Sequence, residues 1–161
     1  MKEFTISGFH ILEHEKKTGT TIFEIDHFIS ENEELMEKDG CYVFCIRSGG
    51  GITPWYVGKT KRSFKEEIFQ DHKKLKYMNA LGKVERGSSG FFFVIHPSGK
   101  TNASQIDEIE TFLIKSCIIK NPNLENDRKT GLDDWYIKGV TQNTGKPSDS
   151  ENSFKKMIGF D

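Results

Sequence analysis

The sequence predicts an α+β domain: a small three-stranded antiparallel central sheet flanked by helices, with an N-terminal β-hairpin and helix extension. Three observations predict it. Gly40–Thr60 holds two short runs rich in β-branched and aromatic residues, Cys41–Ile46 and Pro54–Gly58, separated by the turn-prone cluster Ser48–Gly51, which is the pattern of a β-hairpin. Phe91–Ile95 is a continuous apolar run, too short for a typical helix and flanked by glycine-rich loops, so it reads as a strand buried on both faces beside the hairpin. Two helical patterns, one from Ser63 to about Met78 and one over Ala103–Lys120, then supply the covering layer.

Before the hairpin, residues 1–39 read as an accessory lead-in. Phe9–Glu13 and Thr21–Ile25 pair across the turn Lys16-Lys17-Thr18-Gly19, and Asn32–Lys38 forms a short helix. His10, His14 and His27 share no metal-ligand spacing and are scattered surface residues. After the hairpin, Ser63 followed three residues later by Glu66 opens the first helix as a capping box. Its apolar stripe is Phe64, Ile68, Leu75 and Met78, and His72 falls on that stripe.

The second helix carries Ile106, Ile109, Leu113, Ile114 and Cys117 on one face, with Glu110 among them. A buried, unpaired carboxylate costs several kcal/mol, so Glu110 either sits at the edge of the stripe or binds a cation. Past the proline at Pro122, Asp133–Ile137 reads as a short strand or lid, Thr141–Ser150 as a loop and Asn152–Ile158 as a closing helix. The organisation expected is therefore 1–39 as an extension, 40–126 as the main domain and 127–161 as a C-terminal extension packing on it.

The 161 residues are 35% hydrophobic and 29% charged, and no apolar run approaches the roughly 20 residues a membrane span needs. The start Met1-Lys2-Glu3 is not a secretory signal, so a cytoplasmic protein without membrane contact is expected. Cys41, Cys45 and Cys117 read as reduced, mostly buried thiols. A net charge of -1 conceals an asymmetry: residues 59–86 carry nine Lys or Arg against four Asp or Glu, whereas residues 1–58 carry five against ten. A local basic surplus of this kind attracts anions even in a slightly acidic chain.

These features meet in one family pattern. Cys41-Tyr42-Val43 and Tyr56-Val57-Gly58, a helix histidine at His72, the helix segment Ile109–Lys115 around Glu110, and the ending Asn121-Pro122-Asn123-Leu124-Glu125-Asn126 together resemble the GIY-YIG nuclease domain over about residues 40–126. That module is found in homing endonucleases, nucleotide-excision repair nucleases and some restriction enzymes. The resemblance implies an endonuclease that hydrolyses phosphodiester bonds with one Mg2+ or Mn2+ ion. It implies that Tyr42, with His72 nearby, activates water, that Tyr56 positions water or phosphate, and that Glu110 holds the metal, with Asn126 as the counterpart of the family's asparagine. The family's helix arginine, one turn before the histidine, is Ile68 here. Arg62 and Lys59 are the candidate replacements, needed because a phenolate and a charged phosphate both require cations.

Lys59, Lys61, Arg62, Lys65, Lys73, Lys74 and Asn126 are the expected nucleic-acid contacts, with DNA favoured over RNA and a protein partner as a further possibility. Two alternatives stand beside the nuclease: a non-cleaving nucleic-acid-binding module of the same kind, and an interaction domain whose acidic lead-in meets a protein.

Overall fold

The glycine cluster does form the turn of a hairpin. Strands β4 (Gly40–Ser48) and β5 (Gly51–Thr60), numbered in chain order, pair antiparallel from Gly40↔Thr60 to Ser48↔Gly51. On the other side of β4 lies β6 (Ser88–Ile95), in register Tyr42↔Phe93 and Phe44↔Phe91. A computed structural model describes residues 1–128, 137–140 and 145–159. The chain divides into two units, Met1–Thr130 and Gly131–Asp161.

The first seven residues of β4 are all buried, because both faces of the sheet are covered. Tyr42, Phe44 and Ile46 point into a core with Phe91, Phe93, Phe64, Ile68, Tyr77 and Leu81. Val43 and Cys45 point the other way, into a second cluster with Val57, Ile114 and Leu124. Continuous apolar strands follow from double coverage, as single-sided coverage would have required alternation.

The sheet has one strand more than the three expected. Strand β1 (Thr5–Ile11) pairs with the free edge of β6, from Thr5↔Ile95 to Ile11↔Gly90, giving the order β1-β6-β4-β5. Phe9 packs on Phe92 and His10 on Phe93, with ring centroids 5.7 and 5.9 Å apart, so the lead-in supplies an edge of the sheet. The N-terminal hairpin exists but is shifted: β2 (His14–Lys17) pairs with β3 (Thr20–Phe23). Its turn is only Thr18-Gly19, both at positive φ, 50° and 80°, as the tight two-residue turn that matches strand twist requires. Lys16 and Lys17 are therefore strand residues. Helices α1 (Ile25–Glu31) and α2 (Glu33–Met36) follow and drive Phe28 and Met36 into the core; only α2 lies within the expected Asn32–Lys38 helix.

The helix expected from Ser63 to Met78 is two. Ser63 caps α3 (Phe64–Glu67), its hydroxyl accepting from the Glu66 amide at 3.3 Å. The chain then breaks at Ile68–Gln70 and restarts as α4 (Asp71–Gly82). The buried Tyr77 hydroxyl donates to the Ile68 carbonyl at 2.7 Å, satisfying backbone at the break. Restarting the helix shifts its phase. The face of α4 turned inward is Lys73, Tyr77, Ala80 and Leu81, while Leu75, expected inside, is 57% exposed.

Helix α5 (Ala103–Lys120) forms as expected, capped by Asn102 and packed through Ile106 and Ile114. In the second unit, α6 (Asp149–Met157) starts in a full capping box between Ser148 and Glu151. The expected strand residues Asp133–Tyr136 and loop residues Thr141–Thr144 lie outside the described residues.

The two tyrosine half-motifs interlock across the hairpin. Tyr42 stands directly opposite Gly58, and a Cβ at Gly58 would overlap the hydroxyl-bearing edge of the Tyr42 ring. The ring cannot give way, because Phe64 and Phe91 meet it edge-on at 6.3 and 6.1 Å. Gly58→Ala is expected to destabilise the fold by about 1–3 kcal/mol or more through overpacking. A urea midpoint equal to that of the wild type would show that the tyrosine is not held against the glycine.

Candidate functional site

The inner face of α4, the end of β5 and the middle of α5 converge on a cleft of about 430 Å³. Tyr56 and Lys59 reach it from β5, His72, Lys73 and Lys76 from α4, and Glu110 and Ile114 from α5. Asn126, Asp127 and Arg128 close it from the segment after α5. Four cationic side chains thus face two carboxylates, so the lining has a basic balance suited to an anion such as a phosphodiester.

The segment after α5 is clamped to β5, whose outer edge has no strand partner among the described residues. Asn126 does what a neighbouring strand would do: its Oδ1 accepts from the Val57 amide at 2.9 Å and its Nδ2 donates to the Val57 carbonyl at 2.8 Å. Asn121 Nδ2 donates to the Pro54 carbonyl at 2.8 Å, and the Glu125 amide to the Trp55 carbonyl at 2.7 Å. Tyr56 sits within the backbone held by this clamp. Asn126 is therefore a structural brace as well as a lining residue.

Lys73 is the centre of the site's electrostatics. It is only 6% exposed, and its ammonium donates to the Tyr42 hydroxyl at 2.9 Å and to Glu67 Oε1 at 2.5 Å. It also lies 5.5 Å from the centroid of the Tyr42 ring and 6.0 Å from that of Tyr56, within cation–π range. The expected cations behave differently. Lys59 is ion-paired to Asp107 at 2.6 Å and Glu110 at 2.9 Å. Arg62 is exposed and lines a neighbouring depression of about 500 Å³ with Lys61 and Glu66. The cation that stands beside the tyrosines is thus Lys73, placed there by the phase of α4.

The tyrosines are not poised as bases. Tyr42 is fully buried and does not line the cleft; burial pushes its pKa well above the usual phenol value, with further increments from Tyr77, Tyr56 and Glu67. Burial, with the Glu110, Glu67 and Asp127 carboxylates, pushes Tyr56 up to about 12. Tyr77 is likewise raised well above 10.0, chiefly by burial. The expected water-activating role of Tyr42 does not fit a hydroxyl closed off from solvent. His72 is exposed at the rim of the cleft rather than on a buried stripe.

These shifts have a sign for stability. The folded pKa values exceed the unfolded ones, so the contribution is complete below about pH 10 and is lost as pH rises through 12. The urea midpoint is expected to fall across this interval as phenolate absorbance rises. A midpoint that holds steady to pH 12 would contradict the burial of these rings.

Of the remaining expected contacts, Lys61 pairs with Asp107 at 3.4 Å and Lys65 is exposed on α3. Lys74 pairs with Asp71 and lines a separate groove beside β3. Sequence reasoning missed Lys76, which donates to Asp127 at 2.7 Å, and Arg128. Arg128 had no visible signal, because it follows the last recognisable motif.

For a divalent cation, the donor set at Glu110 is compatible. Its side chain is 13% exposed and already carries the Lys59 ammonium, so positive charge is favoured there, and Mg2+ commonly binds through one or two carboxylates plus water and phosphate. Among the described residues there is no cluster of three or more His, Cys, Asp or Glu that could hold a metal, and no helix long and apolar enough to cross a membrane. Comparison with known protein families, curated proteins and solved structures finds no match.

Proposed function

We propose that this chain is an endonuclease of the GIY-YIG type, hydrolysing phosphodiester bonds in nucleic acid with one divalent metal ion at Glu110. The observation that carries the reading is the convergence of Tyr56, His72, Lys73, Glu110 and Asn126, from four separate segments, on one basic cleft. A metal ion there would act as a Lewis acid and stabilise the leaving oxygen. Lys73 has three donor protons; Tyr42 and Glu67 take two, and the third serves a non-bridging phosphate oxygen. Tyr42 and Glu67 thereby hold the ammonium in place, a positioning role for Tyr42 instead of a basic one.

Tyr56 stays a neutral phenol at pH 7, with its pKa at about 12. It donates a hydrogen bond to water or to the phosphate. His72, on the open rim, takes the proton of the attacking water. Lys76 and Arg128 draw the flanking backbone into the cleft. The substrate we propose first is DNA, held through its phosphates by the basic lining.

The test is incubation of plasmid, branched DNA, single-stranded DNA and RNA with Mg2+ or Mn2+, alongside binding at several salt concentrations. Metal-dependent cutting by the wild type, retained in Arg62→Ala, is expected. If no substrate is cut while binding weakens steeply with salt, as counterion release requires, the non-cleaving nucleic-acid module becomes the reading. If binding is also absent, the nucleic-acid assignment fails.

A further inference from the structure

Lys59 stands one residue past the Gly58 that locks Tyr42, and it bridges two carboxylates on α5. Its ammonium is 2.6 Å from Asp107 Oδ1 and 2.9 Å from Glu110 Oε2. The two acids lie three residues apart and therefore on one face of the helix. They differ in position: Glu110 is 13% exposed and reaches into the cleft, whereas Asp107 is 41% exposed and does not line it. A second cation, Lys61, stands 3.4 Å from the outer oxygen of Asp107.

We propose that Lys59 is a built-in competitor for the divalent cation at Glu110: its ammonium occupies the inner carboxylate in the ion-free protein and withdraws to Asp107 when the ion binds. The proposal rests on the metal assignment above and adds how that site is controlled. An ammonium hydrogen-bonded to a carboxylate oxygen and a doubly charged ion on the same carboxylate repel each other, so one excludes or displaces the other. Displacement is inexpensive here because the pair is already shared. Lys59 gives up one of its two contacts and keeps the shorter, and its flexible four-carbon stem allows the shift.

The arrangement has a consequence for order of binding. In the free protein, the ion must displace Lys59 and binds weakly. Once a phosphate enters the cleft, which Lys59 also lines, the ammonium has a second acceptor and leaves Glu110 more readily. Metal and nucleic acid then strengthen each other's binding, and by linkage the coupling is the same in both directions. A nuclease so built holds little metal until substrate arrives.

The experiment is Mn2+ binding to the full chain without nucleic acid, followed by the paramagnetic resonance signal of free Mn2+. Lys59→Met is expected to tighten binding about tenfold or more, the scale on which partners of a metal ligand act but with the opposite sign, because this partner competes for the ligand, and Lys59→Gln should do the same to a smaller degree. Asp107→Asn is expected to weaken binding, because it leaves Lys59 with Glu110 alone. In the Lys59→Met background, Asp107→Asn should have no effect, since Asp107 acts only through the lysine. Thermal melts verify that each variant is folded.

Binding by folded Lys59→Met no tighter than wild type would overturn the proposal. So would an equal weakening by Asp107→Asn in both backgrounds, which would make Asp107 a metal ligand. Wild-type cleavage measured in parallel separates the two readings: cutting without tighter binding in Lys59→Met sinks the competitor alone. Absence of both cutting and Mn2+ binding sinks the nuclease reading as well.

Discussion

Lys73→Met is expected to lower the cleavage rate by about two to three orders of magnitude, the scale of removing one preorganised charge or donor from a reacting centre. The same substitution touches stability, and the two effects must be separated. It leaves the buried Tyr42 hydroxyl without the donor at 2.9 Å and Glu67 without the cation at 2.5 Å. The Tyr42 hydroxyl keeps Tyr77 as a hydrogen-bond partner, so its lost bond costs about 0.5–1.5 kcal/mol, and the stranded Glu67 charge costs about 1–3 kcal/mol at most, since its side chain is 28% exposed. Adding Glu67→Gln removes the stranded charge and should recover part of the stability without recovering cleavage. Urea unfolding and single-turnover cleavage read the two quantities independently. If Lys73→Met cuts at the wild-type rate, Lys73 does not face the reacting phosphate. If Lys73→Met/Glu67→Gln recovers both, Lys73 has only a structural role.

Lys73 also marks the boundary of what is legible in the sequence. The hairpin is readable because Gly40–Thr60 places strand-forming runs on either side of a glycine cluster, and β6 because Phe91–Ile95 is apolar without period. Helix α5 is readable from its stripe, and Glu110 stands out as the wrong residue for that stripe. What local pattern cannot supply is phase after an irregularity. The break at Ile68–Gln70 is held by a side-chain to backbone bond, the Tyr77 hydroxyl on the Ile68 carbonyl, which a reading of apolar periodicity does not encode. Reading straight through it turns His72 and Leu75 inward and Lys73 outward, the reverse of what is observed. The missed strand has a related cause. Phe9 and His10 choose between the β3 segment and the free edge of β6, and only the register of the assembled sheet decides.

Glu110→Gln is expected to reduce cleavage by about three orders of magnitude or more, near the upper end for loss of a single electrostatic element, while leaving the fold intact. The fold is spared because the amide matches the carboxylate in shape and Lys59 retains Asp107 at 2.6 Å. Binding is expected to move in the opposite direction from cleavage. With metal chelated, Glu110 is a negative charge in the cleft proposed to receive phosphates, so its neutralisation is expected to leave nucleic-acid affinity equal or stronger. Chelation should reproduce in the wild type what the substitution does, and should do nothing further to Glu110→Gln. Weaker binding together with slower cutting would place Glu110 in the architecture of the cleft and not in its chemistry. Cutting by Glu110→Gln that still stops on chelation would move the ion to other ligands. The expected pattern, with affinity kept and turnover lost, is the one that a carboxylate spent on holding a cation against the transition state must produce.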